Sequence, residues 1–316
     1  MNTQSNAVPE PSIASQAVAP AAMSETRPLY WSVRRELWEN RSLYIAPGVF
    51  AAVYLVGYLT SLTWMPRAMR HFWMPHSMSE MPTLAPADQR IELAMPYSHA
   101  TMLLMLIAFI VGIFYCLDAL HGERRDRSIL FWKSLPVSDL TTVLSKASIP
   151  LMLLPLITIA TIFVTQLIMT LLSTLFLLGS GLSAGDQWRS FLQTSLGMIY
   201  HLVTVHVLWH APIYAWLLLV SAWARRAAFL WATLPLVAIG VLEKIAFNTS
   251  HFAHWLGYRL AGPESFDLAG PTRMSHHLMS ADPATFLSAP GLWIGLLLAA
   301  LLLLATVRLR RYQGPI

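Results

Sequence analysis

The sequence predicts an all-α membrane protein of six transmembrane helices. An N-terminal helix on the membrane surface precedes the first span, and a charged helical segment separates the second from the third. Three observations carry this prediction. The 316 residues are 56% hydrophobic and 12% charged, with a mean hydropathy of +0.53, about half the charge of an average soluble domain at roughly 25%. Six apolar runs approach or exceed the roughly 20 residues needed to cross about 30 Å of hydrocarbon. The basic residues behind the net charge of +5 punctuate those runs rather than forming a patch. That pattern speaks against a nucleic-acid partner and for membrane topology. A single cysteine, Cys116, allows no intrachain disulfide.

Residues 1–28, rich in Ala, Pro, Ser and Gln, have too few large apolar side chains to repay the entropy of ordering, and are expected to form a disordered tail. No cleavable signal peptide is expected, because the first apolar run is longer than the roughly 7 to 15 residues of a signal core. A membrane domain then runs from 29 to 312. In residues 29–42, Leu29, Val33 and Leu37 recur at helical spacing, with Arg34, Arg35 and Glu39 turned elsewhere. This basic amphipathic pattern fits an elbow helix on the membrane surface; a simple extension of the first span is the alternative.

The spans are expected at Tyr44–Trp64, Ala100–Leu120, Ala147–Leu178, Gly197–Trp223, Ala227–Phe247 and Pro290–Val307, with outer loops at 65–99 and 248–289. Pro150 and Pro155 should kink the third. With both termini cytoplasmic, 14 of the 21 Lys and Arg residues fall on the inner side, as the positive-inside rule requires. The GSGLSAGD stretch lacks the strand of a dinucleotide site and is expected to be a loop, with Asp186 capping the fourth span. Glu243 and Lys244 near the outer end of the fifth span suit an interfacial anchor better than an ion relay.

Between the second and third spans lies HGERRDRSILFWKSLPVSDLTTVLSK, residues 121–146. Early acid, late Lys133 and a Glu123–Arg127 pair at i, i+4 predict a short helix. Pro136 should end it, and Ser138 should cap a new helix running through Lys146. Ile129, Leu130, Phe131 and Trp132 are too few to span a membrane and lie between charges. Either they face a protein partner or the aromatic residues dip into the headgroup region.

Six spans, an elbow helix and the phrase ERRDRSILFWKSLPVSD followed by Lys146 resemble the permease subunits of the ABC type 2 exporter family. The resemblance is strongest over 121–146 and covers most of 30–312 more weakly. It implies that Glu123, Arg124, Arg125, Asp126, Arg127, Ile129, Leu130, Phe131, Trp132, Lys133 and Leu135 form a cytoplasmic coupling helix that fits a cleft on an ATPase subunit, with Pro136, Val137 and Ser138 as the elbow. It further implies two permease chains, as a homodimer or heterodimer, and two ATPase chains carrying ATP and Mg, in a bacterial cytoplasmic (inner) membrane. The stretch between the fifth and sixth spans is similar to the outer re-entrant region of such permeases. No G-x-x-x-x-G-K-[ST] loop occurs in the chain, so ATP would be bound by the partner.

His201, His206 and His210 fall on the fourth span. They are candidates for the substrate path, for histidines bonded across helices, or for a metal or haem site in a membrane protein of another class. Met74, His76 and Met78 in one outer loop and His276, His277 and Met279 in the other offer thioether and imidazole ligands that suit copper. No hydrolase or metalloprotease motif is present, and no cofactor is expected on this chain. A sensory or immunity subunit that couples to an ATPase without transporting would share all these features.

Overall fold

The computed structural model describes residues 27–63, 86–134, 137–177, 184–261 and 283–316, and all of the regular structure described is helical. Six of its helices or helical runs are long and apolar enough to cross a membrane: Ser42–Leu62, Ala94–Arg125, Asp139–Leu175, Phe191–Trp209, Ala228–Phe247 and Pro290–Tyr312. Residues 1–26 of the expected tail lie outside the described residues.

Helix α1 (Pro28–Glu39) begins on a proline, tolerated because the first N–H of a helix has no partner inside it. It stops at Asn40, whose backbone N–H and side-chain amide both donate to the Glu36 carbonyl. The expected apolar stripe of α1 is only partly buried. Val33 and Leu37 pack on the core, but Leu29 stays exposed. After a break at Asn40, α2 (Ser42–Thr63) forms the first span.

The second span, α3 (Pro86–Ala119), starts 14 residues before the expected Ala100, because helix persists through Pro96 into the stretch expected to be an outer loop. Tyr54 of α2 donates a 2.7 Å hydrogen bond to the Pro96 carbonyl. At the other end, Ser221 accepts from the Leu120 and His121 N–H groups and donates to the Leu117 carbonyl, which satisfies the frayed turn.

The charged segment forms two short helices rather than one, α4 (His121–Arg125) and α5 (Ile129–Ser134). Arg127 breaks them apart with a left-handed backbone at φ 58°. The expected Glu123–Arg127 pair is therefore lost, because continuous helix is needed to bring i and i+4 together. Ser138 caps α6 (Asp139–Ser148) as expected, its Oγ accepting from the Thr141 N–H at 3.0 Å.

A π-turn at Ile149–Leu153 joins α6 to α7 (Leu154–Leu177). Pro150 lies within this turn and Pro155 just after it, so the looser winding accommodates both missing donors. Helix α8 (Ala184–His201), a second π stretch at Leu202–Trp209 and α9 (Ala211–Trp223) form the fourth run. Because α8 begins at Ala184, Asp186 lies within its first turn rather than capping it.

Left-handed residues bracket α10 (Ala228–Phe247), at Ala227 with φ 48° and at Asn248 with φ 51°. The chain then doubles back as α11 (His251–Ala261). The short α12 (Pro283–Ser288) leads into α13 (Pro290–Tyr312), which packs most extensively against α9.

A polar seam inside the apolar bundle ties the first four spans. Gln166 Nε2 donates to Thr101 Oγ1 at 2.8 Å and Gln166 Oε1 accepts from Ser195 at 2.9 Å, while Tyr58 bonds Ser173. Such partnered polar groups hold helices together where lipid removes the hydrophobic driving force between them. Among the described residues, the ion-paired side chains gather at one end of the bundle, where α1, α4, α5, α6 and the last turns of α9 and α13 meet.

Candidate functional site

At that charged end, Glu36 projects from the same face of α1 as Val33 and Leu37 and is only 1% exposed. Isolated burial of a carboxylate would cost several kcal/mol, so its partners matter. Lys146 Nζ donates to it at 2.8 Å, Arg35 at 2.7 Å and the Tyr115 hydroxyl at 2.8 Å. Burial by itself would raise the Glu36 pKa; the Lys146 ammonium, the Arg35 guanidinium and the Tyr115 hydroxyl outweigh it and hold the carboxyl below its ordinary value.

Glu123 of α4 is the hub of the second layer. Its carboxylate meets Arg35 at 3.1 Å, Lys146 at 3.0 Å and Arg310 at 3.5 Å. Arg310, near the end of α13, also pairs with Asp139 in the first turn of α6. Three carboxylates and three cations thus alternate across α1, α4, α6 and α13. Each is needed to neutralise its neighbours, so the four helix ends form one unit.

The remaining charges of the segment divide by environment. Arg124 is buried and donates to the Ala222 and Ala224 carbonyls at 2.6 and 3.1 Å, closing the open end of α9, and to the Gly314 carbonyl at 3.2 Å. Arg125 and Asp126 are exposed and paired to each other at 3.1 Å, with Asp118 3.8 Å from Arg125. Arg127 is exposed. Lys133 donates to the Gln313 and Arg311 carbonyls at 2.8 and 3.4 Å.

The apolar four divide likewise. Ile129 is 2% exposed and anchors α5, whereas Leu130 and Phe131 are 58% and 59% exposed. Trp132 lies beneath Arg35, whose guanidinium carbon is 3.7 Å from the ring centre, and this cation–π contact fixes α5 to α1. Leu135 and Pro136 lie outside the described residues.

Of the three histidines of the fourth run, His206 and His210 meet edge to face with ring centres 5.9 Å apart, yet each is bonded to a different partner. His206 shares a 2.9 Å hydrogen bond with the Tyr214 hydroxyl, and His210 Nε2 meets the Leu260 carbonyl at 3.1 Å. Phe109 packs against His206, His210 and Tyr214. Both histidines are buried, and His201 is partly buried. Among the described residues no group of three or more His, Cys, Asp or Glu side chains is placed to hold a metal. Met74, His76, Met78, His276, His277 and Met279 lie outside the described residues.

His210 also marks where α11 ends. His210 is 13 residues from Trp223, about 20 Å along a helix, so the end of α11 reaches well into the thickness of the bundle. Arg259 of α11 lies over Trp209, 4.4 Å from the ring centre, and donates to the Gly291 carbonyl of α13 at 3.0 Å. Gly295 makes this fit, since a Cβ there would overlap the guanidinium. Glu243, expected as an interfacial anchor, has a structural partner in the next helix. Its carboxylate accepts from the His251 and Phe252 N–H groups at 2.7 and 2.8 Å and so caps α11.

Sequence reasoning singled out Glu123 and its neighbours but missed Glu36, Tyr115, Asp139 and Arg310. A signal existed for Glu36: a carboxylate set at i+3 from Val33 and beside Leu37, on the apolar stripe itself. Lys146 carries the same mark beside Val143 and Ala147 on the buried face of α6. No family model, curated protein or solved structure matches this chain.

Proposed function

We propose that the chain is the membrane-spanning permease subunit of an ATP-driven ABC exporter, with its charged end in the cytoplasm and α4–α5 as the element that couples to a separate ATPase. The observation that carries this reading is the two-sided build of α5. Leu130 and Phe131 stand exposed on a six-residue helix, a surface suited to a partner's apolar cleft. Behind them, Ile129 and Trp132 anchor the helix to the ion network.

Pressure on Leu130 and Phe131 would be delivered to four helix ends together. Lys133 and Arg124 grip the chain just beyond α13, Arg124 grips the end of α9, and Glu123 grips α1, α6 and α13. Helix α13 is a continuous rod of 23 residues, about 35 Å long. Near its far end it holds Arg259 of α11. Motion at the cytoplasmic end would therefore reach the re-entrant α11, in keeping with spans that rock between inward-open and outward-open states. ATP and Mg belong to the partner ATPase, two copies of which would serve two permease chains in a bacterial inner membrane.

The test is co-purification from the native membrane with an ABC-type ATPase. Leu130→Asp with Phe131→Asp should reduce recovery of that ATPase at least tenfold, since each change puts a charge in a desolvated cleft, about 1.4 kcal/mol per decade. Slow labelling of Cys116, which is fully buried, would show that the variant still folds. Undiminished recovery of the ATPase would refute the assignment of α5.

A further inference from the structure

We propose that the outward face of α1 is a binding surface for the phosphate groups of anionic phospholipid, with Arg34 and Arg27 as the contacting cations. Positions 27, 30, 31, 34 and 38 fall within about 100° of one another around a helix. That face carries two arginines, Tyr30, Trp31 and Trp38, and no carboxylate. Both acidic residues of α1 are turned away: Glu36 into the ion network and Glu39 toward Arg35 at 3.5 Å.

Arg34 is held ready on this face. Its guanidinium carbon stands between Trp31 and Trp38, 5.3 and 4.8 Å from their ring centres. The rings restrict the side chain without using its N–H donors, which stay open to a phosphate. Tyr30, Trp31 and Trp38 are 57%, 58% and 69% exposed. Three large aromatic side chains displayed in water would be unfavourable, whereas the boundary between hydrocarbon and headgroups favours them.

The depth of α1 points to lipid rather than to a soluble acidic partner. Glu36 touches Tyr115, four residues before the end of α3, and α2 begins three residues after α1 ends. The middle of α1 is therefore level with the ends of the spans. At the same end, Trp223 and Trp231 pack edge to face at 4.9 Å beside the exposed Arg225 and Arg226, the same aromatic and cationic pairing. This inference depends on the spans lying in a bilayer and not on coupling to an ATPase.

The experiment is hydrogen–deuterium exchange of the full chain in lipid nanodiscs, read at the amides of 30–39. Three conditions are compared: phosphatidylcholine alone, an equal mixture of phosphatidylcholine and phosphatidylglycerol, and phosphatidylcholine with millimolar inorganic phosphate. The mixture should slow exchange about fivefold or more, since one basic residue gains about that factor at an anionic surface. In the Arg27→Gln, Arg34→Gln variant the lipids should give equal rates, with Cys116 labelling unchanged as proof of fold. Equal rates for the unaltered chain in both lipids, or full slowing retained by the variant, would overturn the proposal. Equal slowing by free phosphate would overturn the lipid as the source of the anion.

Discussion

Replacing Lys146 by Met tests the ion network at its most buried cation. Lys146 is 2% exposed and touches Glu36 at 2.8 Å and Glu123 at 3.0 Å. Removing one member of a buried pair costs about 3 to 5 kcal/mol, because its partner is left charged and dry. Glu36 retains Arg35 and Tyr115, and Glu123 retains Arg35 and Arg310, which places the cost near the lower end, about 3 kcal/mol. The chain supplies its own reporter. Cys116 is its single cysteine, fully buried in the apolar cluster that also holds Tyr115. Where opening is in rapid equilibrium, labelling by a thiol dye should accelerate about a hundredfold, since 1.4 kcal/mol is a factor of ten. The double change Lys146→Met, Glu36→Gln should cost less than the sum of its parts, because the orphaned charge is gone. Labelling within about threefold of the parent, or effects that add to within about 0.5 kcal/mol, would refute the network as a unit.

Gly295→Ala should destabilise the seating of α11 by about 1 to 3 kcal/mol, as overpacking does, and speed amide exchange in 251–261. Gly291→Ala should stay within about 0.5 kcal/mol, because the nearest atom, on Trp209, lies 3.5 Å from its added Cβ. Tyr214→Phe leaves His206 without its hydroxyl partner, and a loss of about 1 to 3 kcal/mol is expected in thermal unfolding; His206→Phe added to it should recover part of the loss. The Glu36 pKa is depressed on folding from its ordinary value of 4.5. Its contribution to stability is therefore complete above that value and is lost as pH falls through the lower native one. Cys116 labelling followed into acid should show this loss in the parent and a flatter profile in Glu36→Gln.

Hydropathy and length alone determined that six helices are long and apolar enough to cross a membrane, because 20 apolar residues with no partner for their backbone but themselves have few other solutions in lipid. Local chemistry likewise determined the Ser138 cap, a side chain bonding three residues ahead. Where the helix boundaries were missed, the deciding force was tertiary or conformational. Helix α3 extends back to Pro86, and Arg127 takes a left-handed backbone that splits α4 from α5.

The ion network belongs wholly to the tertiary structure. Glu36 and Lys146 are 110 residues apart in sequence and 2.8 Å apart in space, and no periodicity encodes which charge will meet which. Each left a trace, a charged residue on an apolar stripe, but a stripe says only that a charge will be buried. Its partner depends on how α1, α4, α6 and α13 converge, and that follows from packing across the whole bundle. The same holds for Arg259 and Gly295. The sequence shows an arginine between the fifth and sixth apolar runs and a glycine in the sixth; only the return of α11 against α13 makes one the receptor of the other.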